Sequence, residues 1–200
     1  MSQVLDRSNR KFLLVEPIAK TPYPPLGLMK ISSMLRDKYK DCEVFAQVGN
    51  SIPDGLARPS RIFITSLFTW DWKQVAKSVE FYKWAFPDSE ILVGGISASL
   101  LHEDIYSLTC INPRPWLYYD AEFYPPDYSL TFGRSNRASI TFTTRGCPNS
   151  CSFCSVTELE PSYLVKEHWE RDIKAEFPLV IFWDNNFLAS PNLARDCEKV

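Results

Sequence analysis

Apolar positions along the chain fall into short unbroken runs, separated by stretches in which they recur every third or fourth residue. Lys11–Glu16 (KFLLVE) is a run suited to a strand buried on both faces. A turn carrying Pro22, Pro24 and Pro25 follows, and proline is tolerated in a first helical turn. Leu28, Ile31, Leu35 and Tyr39 then repeat at spacings of three and four, which predicts an amphipathic helix. Residues 43–47 (EVFAQ) predict a second strand, and residues 61–66 (RIFITS), rich in β-branched side chains, a third. Trp72, Val75, Val79, Tyr82 and Phe86 mark one face of a helix that Pro87 stops. Residues 90–93 (EILV) predict a fourth strand closed by Gly94 and Gly95. That pair permits a tight turn first and close approach to a ligand second. A helix is expected to start within 97–104. A fifth strand would fall on residues 106–111 (YSLTCI), whose pattern supports it poorly.

Strands alternating with helices predict a parallel sheet covered on both faces, with right-handed connections. Ligands of such sheets bind beyond the carboxyl ends of the strands. The expected fold class is therefore α/β, with a small doubly wound domain over residues 1–110. Residues 111–138 change character. Pro113, Pro115, Pro125 and Pro126 stand among Tyr and Asp, which reads as an ordered linker packing its aromatics rather than a flexible tether. A second unit is expected over 139–200. It opens with a strand at 139–144 (SITFTT). Ser162 is placed to cap a helix whose Val165, Trp169, Ile173 and Phe177 recur every four residues until Pro178. A strand at 179–183 (LVIFW) follows, then Asp184, Asn185 and Asn186, then a last helix from Ser190.

Composition narrows the function classes. The 200 residues are 45% hydrophobic and 23% charged, which excludes a disordered or collagen-like chain. A net charge of −2 argues against a nucleic-acid partner. No run of about 18 apolar residues is present, so no membrane partner is expected. The first residues lack the apolar stretch of a secretory signal, and a cytoplasmic location is expected. Trp70, Trp72 and Trp84 are expected in the core. Cys42, Cys110 and Cys197 stand alone and are expected as small buried residues. The two histidines, His102 and His168, are expected on the surface or satisfied within the fold.

The chemistry lies in TTRGCPNSCSFCSV. Cys147, Cys151 and Cys154 have the spacing CxxxCxxC, directly after a strand. Three thiolates in a tight loop suit three irons of a 4Fe–4S cluster, for which cysteine is the usual ligand. With no fourth cysteine nearby, one iron stays open to a small chelate, such as the amino and carboxylate groups of S-adenosylmethionine. Zinc is the competing reading, with His168 as fourth ligand, although zinc sites usually pair their ligands differently. Unligated structural thiols are the blandest.

With Phe153 just before the third cysteine, this segment resembles the radical S-adenosylmethionine superfamily. PPLGLMKISSML and EILVGGISASL are similar to the subgroup with an N-terminal cobalamin-binding-like domain. The resemblance implies a 4Fe–4S cluster on Cys147, Cys151 and Cys154, and S-adenosylmethionine beside the backbone of Phe153. It implies that Asp184, Asn185 and Asn186 accept the cofactor's ammonium, with Asp184 leading because a carboxylate makes the charge-assisted bond. Arg145 would face cofactor or substrate, or else pair with a nearby acid. The implied reaction is reductive cleavage to a 5′-deoxyadenosyl radical, which takes a hydrogen atom from an unidentified small-molecule substrate. A flavodoxin or ferredoxin would supply the electron. The Asp-x-His-x-x-Gly signature of cobalamin ligation is absent, so cobalamin ranks behind the other two cofactors. The stretch from Ser139 has room for about two βα units of about 30 residues each. The resemblance therefore implies the opening of an incomplete barrel, and the chain is expected to be the N-terminal part of a longer enzyme. The alternative function is a non-catalytic zinc-binding or interaction module.

Overall fold

A computed structural model describes residues 10–113, 119–135 and 137–199, so Pro115 of the linker lies outside the described residues. The chain divides into two compact units, Met1–Arg134 and Ser135–Val200.

The first unit runs β1 (Lys11–Glu16), α1 (Leu26–Lys38), β2 (Glu43–Val48), β3 (Arg61–Thr65), α2 (Trp72–Ala85), β4 (Glu90–Gly94), α3 (Ile96–Leu100) and α4 (His102–Thr109). Its four strands form one parallel sheet in the order β2-β1-β3-β4. This is the doubly wound α/β architecture that the alternating pattern implied. The run FLLV explains why β1 is central: Phe12, Leu13, Leu14 and Val15 are all fully buried. Successive side chains point to opposite faces. Leu13 and Val15 pack with Ile62, Ile64, Val75, Val79, Tyr82 and Ile105 under α2 and α4. Phe12 and Leu14 pack with Leu28, Met29, Leu35 and Phe63 under α1. Pro25 precedes α1 in extended conformation, as the proline turn implied.

As the poor strand pattern of 106–111 implied, residues 106–109 form no strand and continue α4. Ile105 is buried, the Thr109 hydroxyl donates to its carbonyl at 2.7 Å, and Cys110 ends the helix in left-handed conformation. Of the three tryptophans, only Trp72 packs against the core. Trp70 stacks on Phe68 in the turn before α2, Trp84 lies on the outer face of α2, and both are exposed. Cys110 and Cys197 are exposed rather than buried.

The described part of the linker up to Arg134 packs on α1 through both polar bonds and aromatic side chains. Asp127 accepts from the Ser32 hydroxyl at 2.7 Å and from Arg36 at 3.0 Å, and its N–H donates to the Met29 carbonyl. Lys30, buried, pairs with Glu122 at 3.0 Å. Tyr124 donates to Asp37 at 3.0 Å, while Tyr128, Leu130 and Phe132 pack on the α1 face of the core. Arg134 clasps Glu16, at the end of β1, through both terminal nitrogens at 2.6 and 2.8 Å.

The second unit runs β5 (Ala138–Thr141), β6 (Thr144–Arg145), α5 (Val156–Leu159), β7 (Leu164–Val165), β8 (Leu179–Phe182) and α6 (Leu193–Glu198). β5 and β8 pair in parallel, and β6 pairs antiparallel with β7. The helix expected from Ser162 to Phe177 is therefore not formed. In its place come β7, an irregular stretch and a single 3₁₀ turn at Trp169–Asp172. The backbone has other partners: Lys166 N–H donates to Thr143 and Lys174 N–H to the Ser139 hydroxyl. His168, in left-handed conformation, breaks any helical path. Only Trp169 of the four periodic residues is fully buried. It donates to Asp196 at 3.1 Å and meets Phe182 edge-on. The last helix starts at Leu193, three residues later than expected. Among the described residues no helix is long and apolar enough to cross a membrane.

Candidate functional site

The thiol loop leaves β6 through Gly146. This residue has φ +75°, and a Cβ on it would lie 2.4 Å from the Ser162 carbonyl oxygen. Glycine is thus required twice, by the left-handed backbone and by the close approach of the segment before β7. Beyond it, Cys147 is half-buried, Cys151 exposed and Cys154 half-buried. The Cys154 N–H donates to the Cys151 carbonyl at 3.0 Å, closing the turn that presents Phe153 to solvent at 90% exposure.

The loop after β8 comes back beside this one. Trp183 N–H donates to the Thr141 carbonyl, which extends the β5–β8 ladder to Asp184. Asp184 turns its carboxylate onto the link between β5 and β6. It accepts the N–H and hydroxyl of Thr143 and the N–H and hydroxyl of Thr144. Its role here is to cap that link. Asn186 donates to the Cys147 sulfur at 3.7 Å, and Asn185 donates to Glu160 at 2.9 Å.

Glu160 is the residue the sequence reading missed. One carboxylate oxygen pairs with Arg145, and the other accepts the Gly146 N–H and the Asn185 amide. Arg145 also lies over the Phe142 ring at 4.1 Å. Of the two readings for Arg145, the structure shows pairing with an acid. No spacing rule singles out Glu160. The one available signal was an arginine in an apolar, threonine-rich strand, which needs a counter-charge.

The structure therefore brings together Arg145, Cys147, Asn185, Asn186 and Glu160, with Asp184 just behind them. His168 is exposed, in the left-handed turn that leads into Trp169. Glu170 beside it is held below the usual carboxylate range, chiefly by the hydrogen bond from Lys199 and in smaller part by the His168 charge. The donor chemistry fits an iron–sulfur cluster: three free thiols on one loop, none of them fully buried. Among the described residues no three His, Cys, Asp or Glu side chains already converge as a metal site. Loading requires the thiols to turn toward one another.

In the first unit, Ser66 Oγ, Asp71 Oδ2 and Ser97 Oγ, near the carboxyl ends of β3 and β4, are buried without a hydrogen-bond partner. The Gly94–Gly95 pair serves a tight turn, since a Cβ on Gly95 would lie 2.6 Å from the Ser66 carbonyl oxygen. Lys20, in the loop after β1, pairs with Asp71. That loop carries no histidine; His102 opens α4 and His168 lies in the second unit. The residues present do not fit a histidine-ligated cobalamin.

No model of a known protein family matches the chain. No curated protein matches it either. Among solved structures it is similar to a novel cobalamin-binding protein from Desulfitobacterium hafniense DCB-2, at 15% identity and a TM-score of 0.34. The match covers 54% of this chain and 52% of that one, so the chain spans about half the length of that protein.

Proposed function

We propose that the second unit holds a 4Fe–4S cluster on Cys147, Cys151 and Cys154 and presents it to S-adenosylmethionine, in the manner of a radical S-adenosylmethionine enzyme. The observation that carries this reading is the three-thiol loop set between β6 and α5, with no fourth cysteine in the adjoining sequence and the Asn185–Asn186 turn against its first thiol. Held by Cys147, Cys151 and Cys154, such a cluster would supply one-electron reducing chemistry to a sulfonium bound beside it. The chain's own part is to bind and orient. Gly146 sets the exit of the loop from β6, and Asn186 holds the Cys147 sulfur. The turn at residues 152–153 offers the Phe153 backbone to a flat ligand, and Asn185 and Asn186 offer amide oxygens to an ammonium.

Anaerobic reconstitution with iron and sulfide tests the proposal. The expected result is about four irons and four sulfides per chain, all lost when the three cysteines are changed to serine. Zinc without sulfide, lost on His168→Ala, would instead identify a zinc module.

A further inference from the structure

We infer that Glu160 is a positioning residue for the thiol loop. Its carboxylate fastens the loop's entry to the Asn185–Asn186 turn, so that Cys147 is presented in one fixed orientation. Glu160 stands six residues past Cys154, yet its contacts all lie around Cys147. One oxygen takes Arg145, two residues before that thiol. The other takes the Gly146 N–H, one residue before it, and the amide of Asn185. Asn186, the next residue along, reaches the Cys147 sulfur itself. The chain on both sides of the sulfur is thus tied to one carboxylate. Among the described residues, Cys151 and Cys154 are joined by their own turn, in which the Cys154 N–H donates to the Cys151 carbonyl.

Position reinforces this. Glu160 caps α5, its N–H donating to the Val156 carbonyl, and its own carbonyl oxygen lies 3.1 Å from where a Gly146 Cβ would stand. Backbone and side chain of the same residue therefore both press on Gly146. The side chain is mostly shielded from solvent and its partner Arg145 is held over Phe142, so the pair is more rigid than an exposed ion pair. Charge-assisted bonds of this kind are roughly twice as strong as neutral ones. Groups that orient a metal ligand from behind typically alter affinity by about 10- to 100-fold when removed.

The inference uses the cluster reading for its purpose, but its geometry stands without it, and the test separates the two. Full-length chain and its Glu160→Ala, Glu160→Gln and Asn185→Ala variants are kept free of metal and oxygen. Each is treated with iodoacetamide, and alkylation of each cysteine is followed by peptide mass spectrometry. Glu160→Ala is expected to speed alkylation of Cys147 by about tenfold, the loss of one charged hydrogen bond. Cys42 and Cys110 serve as unchanged references. Glu160→Gln keeps one acceptor oxygen and should fall between Ala and the parent. Asn185→Ala, which removes only an exposed arm, should give a smaller rise and guards against a Glu160→Ala chain that does not fold. Titration with ferrous iron and sulfide should then show iron affinity falling in the same order, with a broadened cluster signal by electron paramagnetic resonance. Unchanged alkylation of Cys147 in Glu160→Gln and Asn185→Ala overturns the inference, even if the parent loads a cluster. A parent that takes up no iron and sulfide, while the alkylation order holds, overturns the cluster reading and leaves the clamp.

Discussion

Asp184 Oδ1 accepts both the backbone N–H of Thr143, at 3.0 Å, and its hydroxyl, at 2.8 Å. Thr144 adds the same two donors to that oxygen. The carboxylate at the end of β8 is therefore what lets the chain turn from β5 into β6 with its amides satisfied. Asp184→Ala is expected to destabilise the second unit by about 3 kcal/mol, since the N–H groups of two fully buried threonines lose a charged acceptor. Asp184→Asn keeps one acceptor oxygen and should cost about half as much. Urea midpoints at constant slope measure both; equal stability of the three proteins would remove the capping role.

Gly146→Ala combines a left-handed backbone with a Cβ placed 2.4 Å from the Ser162 carbonyl oxygen. The expected loss is about 1–3 kcal/mol from strain at that residue, with pairing of β6 and β7 disturbed. Hydrogen exchange of the amides in Arg145 and Leu164 should accelerate in the variant while the β5–β8 ladder stays protected.

Two carboxyls of the first unit pull stability in opposite directions with pH. Burial pushes Glu16 above its ordinary value of 4.5, against the pull of Arg134. The native state then binds this proton more readily than the unfolded chain does. Its contribution is full below 4.5 and declines as pH rises through the raised value. The stability of Glu16→Gln relative to the parent should therefore climb as pH rises from 4.5 to the raised value, and level off above it. Asp127 behaves oppositely. Burial raises it, but hydrogen bonds from Ser129 and Ser32 and the charge of Arg36 prevail and hold it below 3.8. Its contribution is present above 3.8 and is lost as pH falls, so Asp127→Asn should be costly near neutral pH and nearly silent in acid. Thermal midpoints of the two variants across pH should diverge in this way.

Trp169→Phe removes the indole N–H that Asp196 accepts at 3.1 Å, while Asp196 is itself fully buried. Ser190 and Arg195 still reach that carboxylate. The expected cost is about 2 kcal/mol, most of it from the carboxylate left short of a donor. A Trp169→Phe, Asp196→Asn double variant should cost less than the sum of the two single changes, and additive values would show that the contact carries no coupling.

The first unit was the more legible part because its two inner strands, β1 and β3, are buried on both faces. The run FLLV marks β1 to the residue, and the repeat through Leu28, Ile31 and Leu35 marks α1. The second unit misled at Val165, Trp169, Ile173 and Phe177, where helical spacing occurs without an apolar surface to receive it. Val165 is paired to Thr144 in β7, and only Trp169 goes fully inside. In the site, the cysteine spacing was legible because it is local. Glu160 was not, because its importance arises from strands that meet only after folding. Asp184 was found by position, but its partners depend on a register that sequence does not display.

The strand order β2-β1-β3-β4 has a bearing on biosynthesis. The earliest strand made is central, the next joins one flank, the third joins the other, and the fourth extends outward from the third. No strand has to wedge itself between two that are already joined. A ribosome releasing this chain from its amino end thus delivers each piece to a flank that is still open, and the sheet can grow at the pace of translation.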